Sequence, residues 1–229
     1  MKKTILILSF LSTIVTIWSQ NENFGLWYEM DLQKEVGKWT IGSDLEIRSL
    51  GLSHMERASW QLTGDYELKS WWQLGAGVTG MFVYDHKYAY NQPRLRFFIK
   101  NKFEKKLSRF KLEWKEKIRW TFKNETLRLK EDGEIDHYRV NPDLTAISSF
   151  EVKYDIPKSK LSPWVSVDAF LKLNDPEVRS FENWRTTLGV DYKVNKAIRL
   201  SIFGLKNSQL DSEDSYGIWA AGVLMRYRL

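Results

Sequence analysis

The chain has 229 residues, a formal net charge of +6 and no cysteine, so disulfides, thiolate nucleophiles and Cys-type zinc sites are excluded. Its length suits one domain or at most two, and its positive balance favours anionic surfaces, lipids or solutes without naming one. Charged residues reach 28% and aromatics 14%, with eleven Trp, a pairing that the pattern along the chain has to explain.

Lys2 and Lys3 form a basic start, Ile5 to Ile17 an apolar stretch, and Ser19 a small residue before the polar Gln20-Asn21-Glu22-Asn23. That order predicts a signal peptide over residues 1–20 and export of residues 21–229 as one domain. A retained membrane helix would need about 20 apolar residues. Beyond it, helical periodicity is almost absent and period-2 alternation runs to the end of the chain. Leu26, Tyr28, Met30 and Leu32 oppose Glu29, Asp31 and Gln33, and Trp39, Ile41, Leu45 and Ile47 oppose Asp44, Glu46 and Arg48. Trp60, Leu62 and Tyr66 oppose Gln61 and Asp65, and Trp72, Leu74, Val78 and Phe82 oppose Gln73 and Thr79. Leu95, Phe97 and Ile99 oppose Arg94, Arg96 and Lys100. The clearest segment sets Phe110, Leu112, Trp114, Ile118, Trp120 and Phe122 against Lys111, Glu113, Lys115, Lys117, Arg119 and Thr121. The same split recurs around Val152, Val167, Val190, Leu200 and Val223.

Connections alternate in length. Short ones hold Val36-Gly37-Lys38, Lys69-Ser70, Lys105 to Ser108, Pro157 to Ser162 and Asn195-Lys196; longer ones hold Ser49 to Glu56, Asp85 to Gln92, Asn124 to His137, Asn174 to Asn183 and Asn207 to Ser215. This predicts an all-β, up-and-down antiparallel transmembrane barrel with short periplasmic turns and longer outer loops. About ten to twelve strands are expected, with twelve favoured because single-chain bacterial barrels have even strand numbers, and the extra strand is sought between Asn124 and Ser149.

Alternation alone does not say which face points inward, since a soluble lipocalin-like barrel reverses the membrane arrangement. Strand number and charges of both signs on the polar face favour the outer membrane. So do the terminal Tyr227-Arg228-Leu229 and aromatics near strand ends, among them Trp27, Trp39, Trp72, Tyr84, Trp164 and Tyr227. Glu116 falls on the apolar face near mid-strand, where it would be protonated, twisted inward or hidden in a subunit contact.

Gly25-Leu26-Trp27, Trp39, Glu46-Ile47-Arg48, Arg94-Leu95-Arg96, Phe110-Lys111-Leu112-Glu113, Tyr138-Arg139, Trp184-Arg185 and Gly189-Val190-Asp191-Tyr192 together resemble a bacterial envelope family known as domain-of-unknown-function family 2490. The resemblance implies an outer-membrane β-barrel and no particular activity.

The candidate lumen-lining charges are Arg48, Arg94, Arg96, Lys111, Glu113, Lys117, Arg119, Arg139, Glu151, Asp168, Arg185, Asp191 and Arg226. Interlocked ion pairs would fill a narrow barrel, whereas a surplus of Arg and Lys would favour anions. His54, His86 and His137 fall in or beside expected loops, with no nucleophile motif and no shared ligand spacing, so neither a catalytic nor a metal site is expected, and no cofactor. Acidic loop residues Asp132, Glu134, Asp136, Asp211, Glu213 and Asp214 read as solvated tips. The expected partners are outer-membrane lipid and, through the C-terminal strand, the barrel-assembly machinery; nucleic acid is not among them. The preferred reading is a structural or interaction barrel with a charge-paired lumen. A narrow anion-biased channel and a soluble exported binding barrel are the alternatives.

Overall fold

Successive side chains of a strand point to opposite faces, so alternating segments make a sheet with one apolar and one ionic side. The computed structural model describes residues 24–51, 54–175, 181–209 and 217–229. The expected signal segment and the acidic residues Asp211, Glu213 and Asp214 lie outside the described residues.

Among the described residues eleven strands follow one another: β1 (Phe24–Val36), β2 (Trp39–Leu50), β3 (His54–Lys69), β4 (Trp72–Asp85), β5 (Tyr90–Leu107), β6 (Phe110–Lys123), β7 (Asp143–Tyr154), β8 (Leu161–Lys172), β9 (Phe181–Lys193), β10 (Ile198–Gln209) and β11 (Gly217–Arg228). They close into a barrel in sequence order. Neighbours are antiparallel except β1 and β11, which pair in parallel from Phe24 opposite Trp219 to Gln33 opposite Arg228. The expectation of twelve strands is thereby corrected to eleven. Residues 124–142 form a loop crossed by an isolated bridge between Leu129 and Ile135, and the next strand begins only at Asp143. An odd count closes because the first and last strands run the same way and hydrogen-bond in the parallel pattern.

One barrel end carries the connections 37–38, 70–71, 108–109, 155–160 and 194–197. The first needs Gly37 at φ +62°, a left-handed conformation that costs glycine little. The other end carries 51–53, 86–89, 124–142, 173–180 and 210–216. Two of these are shorter than the sequence suggests, because β2, β3 and β5 extend further than their alternation does.

The apolar face points outward. Ile41 is 55% exposed, Phe82 55% and Leu188 63%, while Glu113, Asp168 and Asp191 on the opposite face are buried. Cross-strand aromatics crowd the outer surface near the short-turn end. Trp39 meets Tyr66 at 5.0 Å, Phe103 meets Trp72 at 6.0 Å and Trp114 at 5.6 Å, and Phe110 meets Tyr154 at 5.0 Å. Two aromatics expected in this girdle turn inward instead: Trp27 and Trp164 line the interior cavity. Trp164 fits because its neighbour in register is Gly189, where a Cβ would stand 2.5 Å from the indole ring. With Phe203, Leu205, Ala220 and Leu224, these two rings build the apolar side of the interior.

Glu116 also faces outward, with no inward twist of β6. Its carboxylate accepts hydrogen bonds from Trp114 Nε1 at 2.7 Å and Ser148 Oγ at 2.6 Å. Asn101 stands beside it in register and accepts one from Trp72 Nε1 at 3.2 Å.

Candidate functional site

Three ionic levels stack along the barrel interior. Near the short-turn end the charges pair closely. Lys115 Nζ lies 2.6 Å from Glu113, Lys111 Nζ 2.9 Å from Glu104, Lys153 Nζ 2.9 Å from Asp191 and Arg226 Nε 2.9 Å from Asp31. Asp191 also accepts from Trp164 Nε1 at 2.9 Å and from Ser201 Oγ at 2.7 Å. Buried charge is costly unless it is paired, and every charge named in this floor has an ion-pair partner, although Asp191 Oδ2 is shielded from solvent without a hydrogen bond.

Above it, at mid-depth, lies a cavity of about 590 Å³. Seven cations line it (Arg48, Arg57, Arg96, Lys115, Lys117, Arg119 and Arg185) against five acids (Glu29, Asp44, Glu46, Glu151 and Asp168). Glu46 lies 2.5 Å from Arg48 and 3.3 Å from Arg57 Nε, and Asp168 lies 2.8 Å from Arg185 Nε. Aromatic faces hold several guanidinium groups: Arg48 sits 3.6 Å above the Trp27 ring, and Arg119 and Arg185 sit 5.6 Å and 5.3 Å from Phe170.

The register sets like charges opposite one another. On β1 and β2, Glu29 stands opposite Glu46 and Asp31 opposite Asp44. On β5 and β6, Lys100 stands opposite Lys117 and Lys102 opposite Lys115. Like charges directly opposite one another are destabilising, so this arrangement does not maximise stability. Arg96 donates to Thr121 Oγ1 at 2.9 Å and Lys117 lies 4.6 Å from the Phe98 ring, but neither has an ion pair among the described residues. Arg48 Nε and Arg57 Nε are shielded from solvent without a hydrogen-bond acceptor.

At the long-loop end, the 124–142 loop is fastened down. Arg128 is buried and bridges Asp85 at 2.6 Å and Asp136 at 2.9 Å. Its guanidinium lies 3.9 Å from the Tyr138 ring and 4.9 Å from Tyr88. Gln92 is fully buried and donates to Tyr138 Oη at 2.8 Å and to the Asn124 carbonyl at 2.7 Å. Hydrogen bonds from Lys87 and Tyr88, with Arg128 behind them, hold the Asp136 carboxyl far below the usual carboxylate range. The His137 hydrogen bond lowers Glu125 likewise. Asp136 is thus an ion-paired anchor rather than a solvated tip.

Of the charges singled out in the sequence, Arg48, Arg96, Lys117, Arg119, Glu151, Asp168 and Arg185 meet around the cavity. Lys111, Glu113, Asp191 and Arg226 belong to the paired floor. Arg94 lies towards the loop end, its Nε donating to Gln92 Oε1 at 2.6 Å. Arg139 is not on a strand; it sits in the 124–142 loop and pairs with Asp175. Arg57 falls between the expected loop, which ends at Glu56, and the alternation read from Trp60, although Arg57, Ser59 and Gln61 share one face of β3. Arg128 gave no periodic signal at all.

The histidines are not all scattered. His54, at the start of β3, and His86, just past β4, converge on Glu56, and their ligand atoms lie within 4.8 Å of one another. His137 stands apart, 2.7 Å from Glu125.

No curated protein matches this sequence. Among solved structures, the NanC porin is similar with a TM-score of 0.53 at 12% identity, over 89% of this chain and 97% of that one. The β-domain of the Bordetella autotransporter Brka is similar with a TM-score of 0.50 at 11% identity, over 85% of this chain and 86% of that one. At such identities these likenesses establish the barrel fold. The model of the family described as protein of unknown function, DUF2490, matches residues 24–216, and the chain belongs to that family.

Proposed function

We propose that the chain is an outer-membrane barrel whose narrow lumen passes small anions. A barrel clothed in Ile41, Phe82, Leu188 and their neighbours presents an apolar surface far larger than soluble monomers expose. Lipid is its natural cover, and the aromatic cluster near the short-turn end suits a membrane interface. The outer-membrane folds of the NanC porin and the Brka β-domain support the same location.

The observation that carries the anion reading is the segregated register. A lumen built only as a plug would alternate signs between neighbouring strands. Around the cavity Glu29, Asp44 and Glu46 lie on β1 and β2, with Arg48 beside them, while Arg96, Lys115, Lys117 and Arg119 lie on β5 and β6, and cations outnumber acids. Basic linings favour anions in pores. A barrel of this size lies between the filled eight-stranded and the open sixteen-stranded kinds.

The test is a reversal-potential measurement on purified barrel in a planar bilayer under a KCl gradient. The wild type should conduct and prefer chloride. Arg96→Ser with Lys117→Ser should move the preference towards neutrality, most strongly near 0.01 M salt, where screening extends over about 30 Å. A folded barrel that prefers cations would overturn the proposal. A closed structural barrel is the second reading, favoured by the paired floor around Glu113 and Asp191. It requires zero conductance in the wild type, and Glu113→Gln should then cost about 3–5 kcal/mol of stability by stranding its lysines.

A further inference from the structure

We propose that His54, Glu56 and His86 bind one divalent transition-metal ion, Zn²⁺ being the probe of choice, on the outer rim at the long-loop end. This site lies apart from the lumen and does not depend on whether the barrel conducts.

The three side chains bring their ligand atoms close enough to share one ion. His86 Nε2 lies 2.8 Å from Glu56 Oε1, and His54 Nε2 lies 3.8 Å from the same oxygen. Yet Glu56 Oε1 and His54 Nε2 are both shielded from solvent and neither makes a hydrogen bond. Leaving such atoms unmade is costly unless something else occupies them. Bonds of about 2.0–2.2 Å in a tetrahedral arrangement set ligand atoms roughly 3.4 Å apart. The two separations bracket that value, and all three ligand atoms lie within 4.8 Å of one another.

The rings are also held in place. Tyr84 packs edge-on against His54 at 4.3 Å and against His86 at 5.1 Å. Two imidazoles and one carboxylate suit zinc and its neighbours, whereas calcium and magnesium prefer oxygen ligands alone. Three protein ligands leave a fourth position open to water. The ligands come from the start of β3 and from the 86–89 connection, so a bound ion would tie that connection to β3.

The test uses untagged barrel in detergent, stripped with chelator and titrated with ZnCl₂ by calorimetry, with elemental analysis after dialysis. One equivalent of zinc should bind, and excess calcium should not displace it. His54→Ala with His86→Ala should weaken binding more than about 100-fold, since even outer-shell changes cost 10–100-fold. Glu56→Gln should weaken it while preserving shape, and His137→Ala should leave it unchanged. Should the double variant fail to fold, the wild type still decides. Zinc should protect His54 and His86, but not His137, from ethoxyformylation read by mass spectrometry. Absence of saturable zinc binding in the folded wild type, or undiminished binding in the Glu56→Gln and double variants, would overturn the proposal.

Discussion

Glu46→Gln is the most informative single change. The substitution keeps the side-chain shape and removes the carboxylate that Arg48 approaches at 2.5 Å and Arg57 at 3.3 Å. Removing one partner of a buried ion pair costs about 3–5 kcal/mol, and an adjoining hydrated cavity should bring the cost to the lower end. Glu29 stands opposite Glu46, so relief of like-charge repulsion returns roughly 0.2–1 kcal/mol. The net loss should be about 2–3 kcal/mol, roughly 30-fold to 140-fold in the folding equilibrium at about 1.4 kcal/mol per decade. Urea unfolding of the barrel in lipid vesicles, followed by tryptophan fluorescence, reads this directly. The same variant raises the charge of the cavity lining by one, so chloride preference in a bilayer should increase. A loss of stability below about 0.5 kcal/mol, the range of ordinary surface changes, with unaltered ion preference would refute the role assigned to Glu46.

Other outcomes follow from the same interior. Arg128→Ala removes the bridge between Asp85 and Asp136, so limited proteolysis should cut within residues 124–142 far faster than in the wild type. Because the Asp136 pKa is depressed in the folded state, its contribution is present above the ordinary aspartate value near pH 4 and is lost only as pH falls through the lower folded value. Protease resistance of the loop, assayed with an acid protease, should therefore persist at pH 4. Single cysteines at Leu112 and Ile118 should react with lipid-soluble reagents, and cysteines at Lys117 and Arg119 with water-soluble ones; the reverse pattern would exclude the membrane orientation. N-terminal sequencing of the envelope protein should find a start near residue 20, and an intact Met1 would refute processing.

The alternation of Phe110 to Lys123 is enough to announce a strand with one greasy and one ionic face, because a period of two is a local property. Repeated along the chain, it announces a β-barrel. Strand ends were less legible. Arg57 and Tyr90 continue their strands into stretches rich in polar residues, where pairing with a neighbour rather than local pattern keeps the chain extended. Strand number failed for a related reason: parity argued for twelve, but closure depends on how the first and last strands meet, and β1 and β11 meet in parallel.

The sequence by itself therefore determined the sheet, its two faces and the basic surplus, all carried by nearest neighbours along the chain. Tertiary structure alone decided which charges share a wall, because a strand's partners are set by register across residues far apart in sequence. Glu29 meets Glu46 and Lys100 meets Lys117 only through the register in which β1 pairs with β2 and β5 with β6. The same holds for the rim, where His54, Glu56 and His86 converge only because β3 and β4 are hydrogen-bonded neighbours. Spacing along a chain encodes which face a side chain takes; it does not encode what stands across from it.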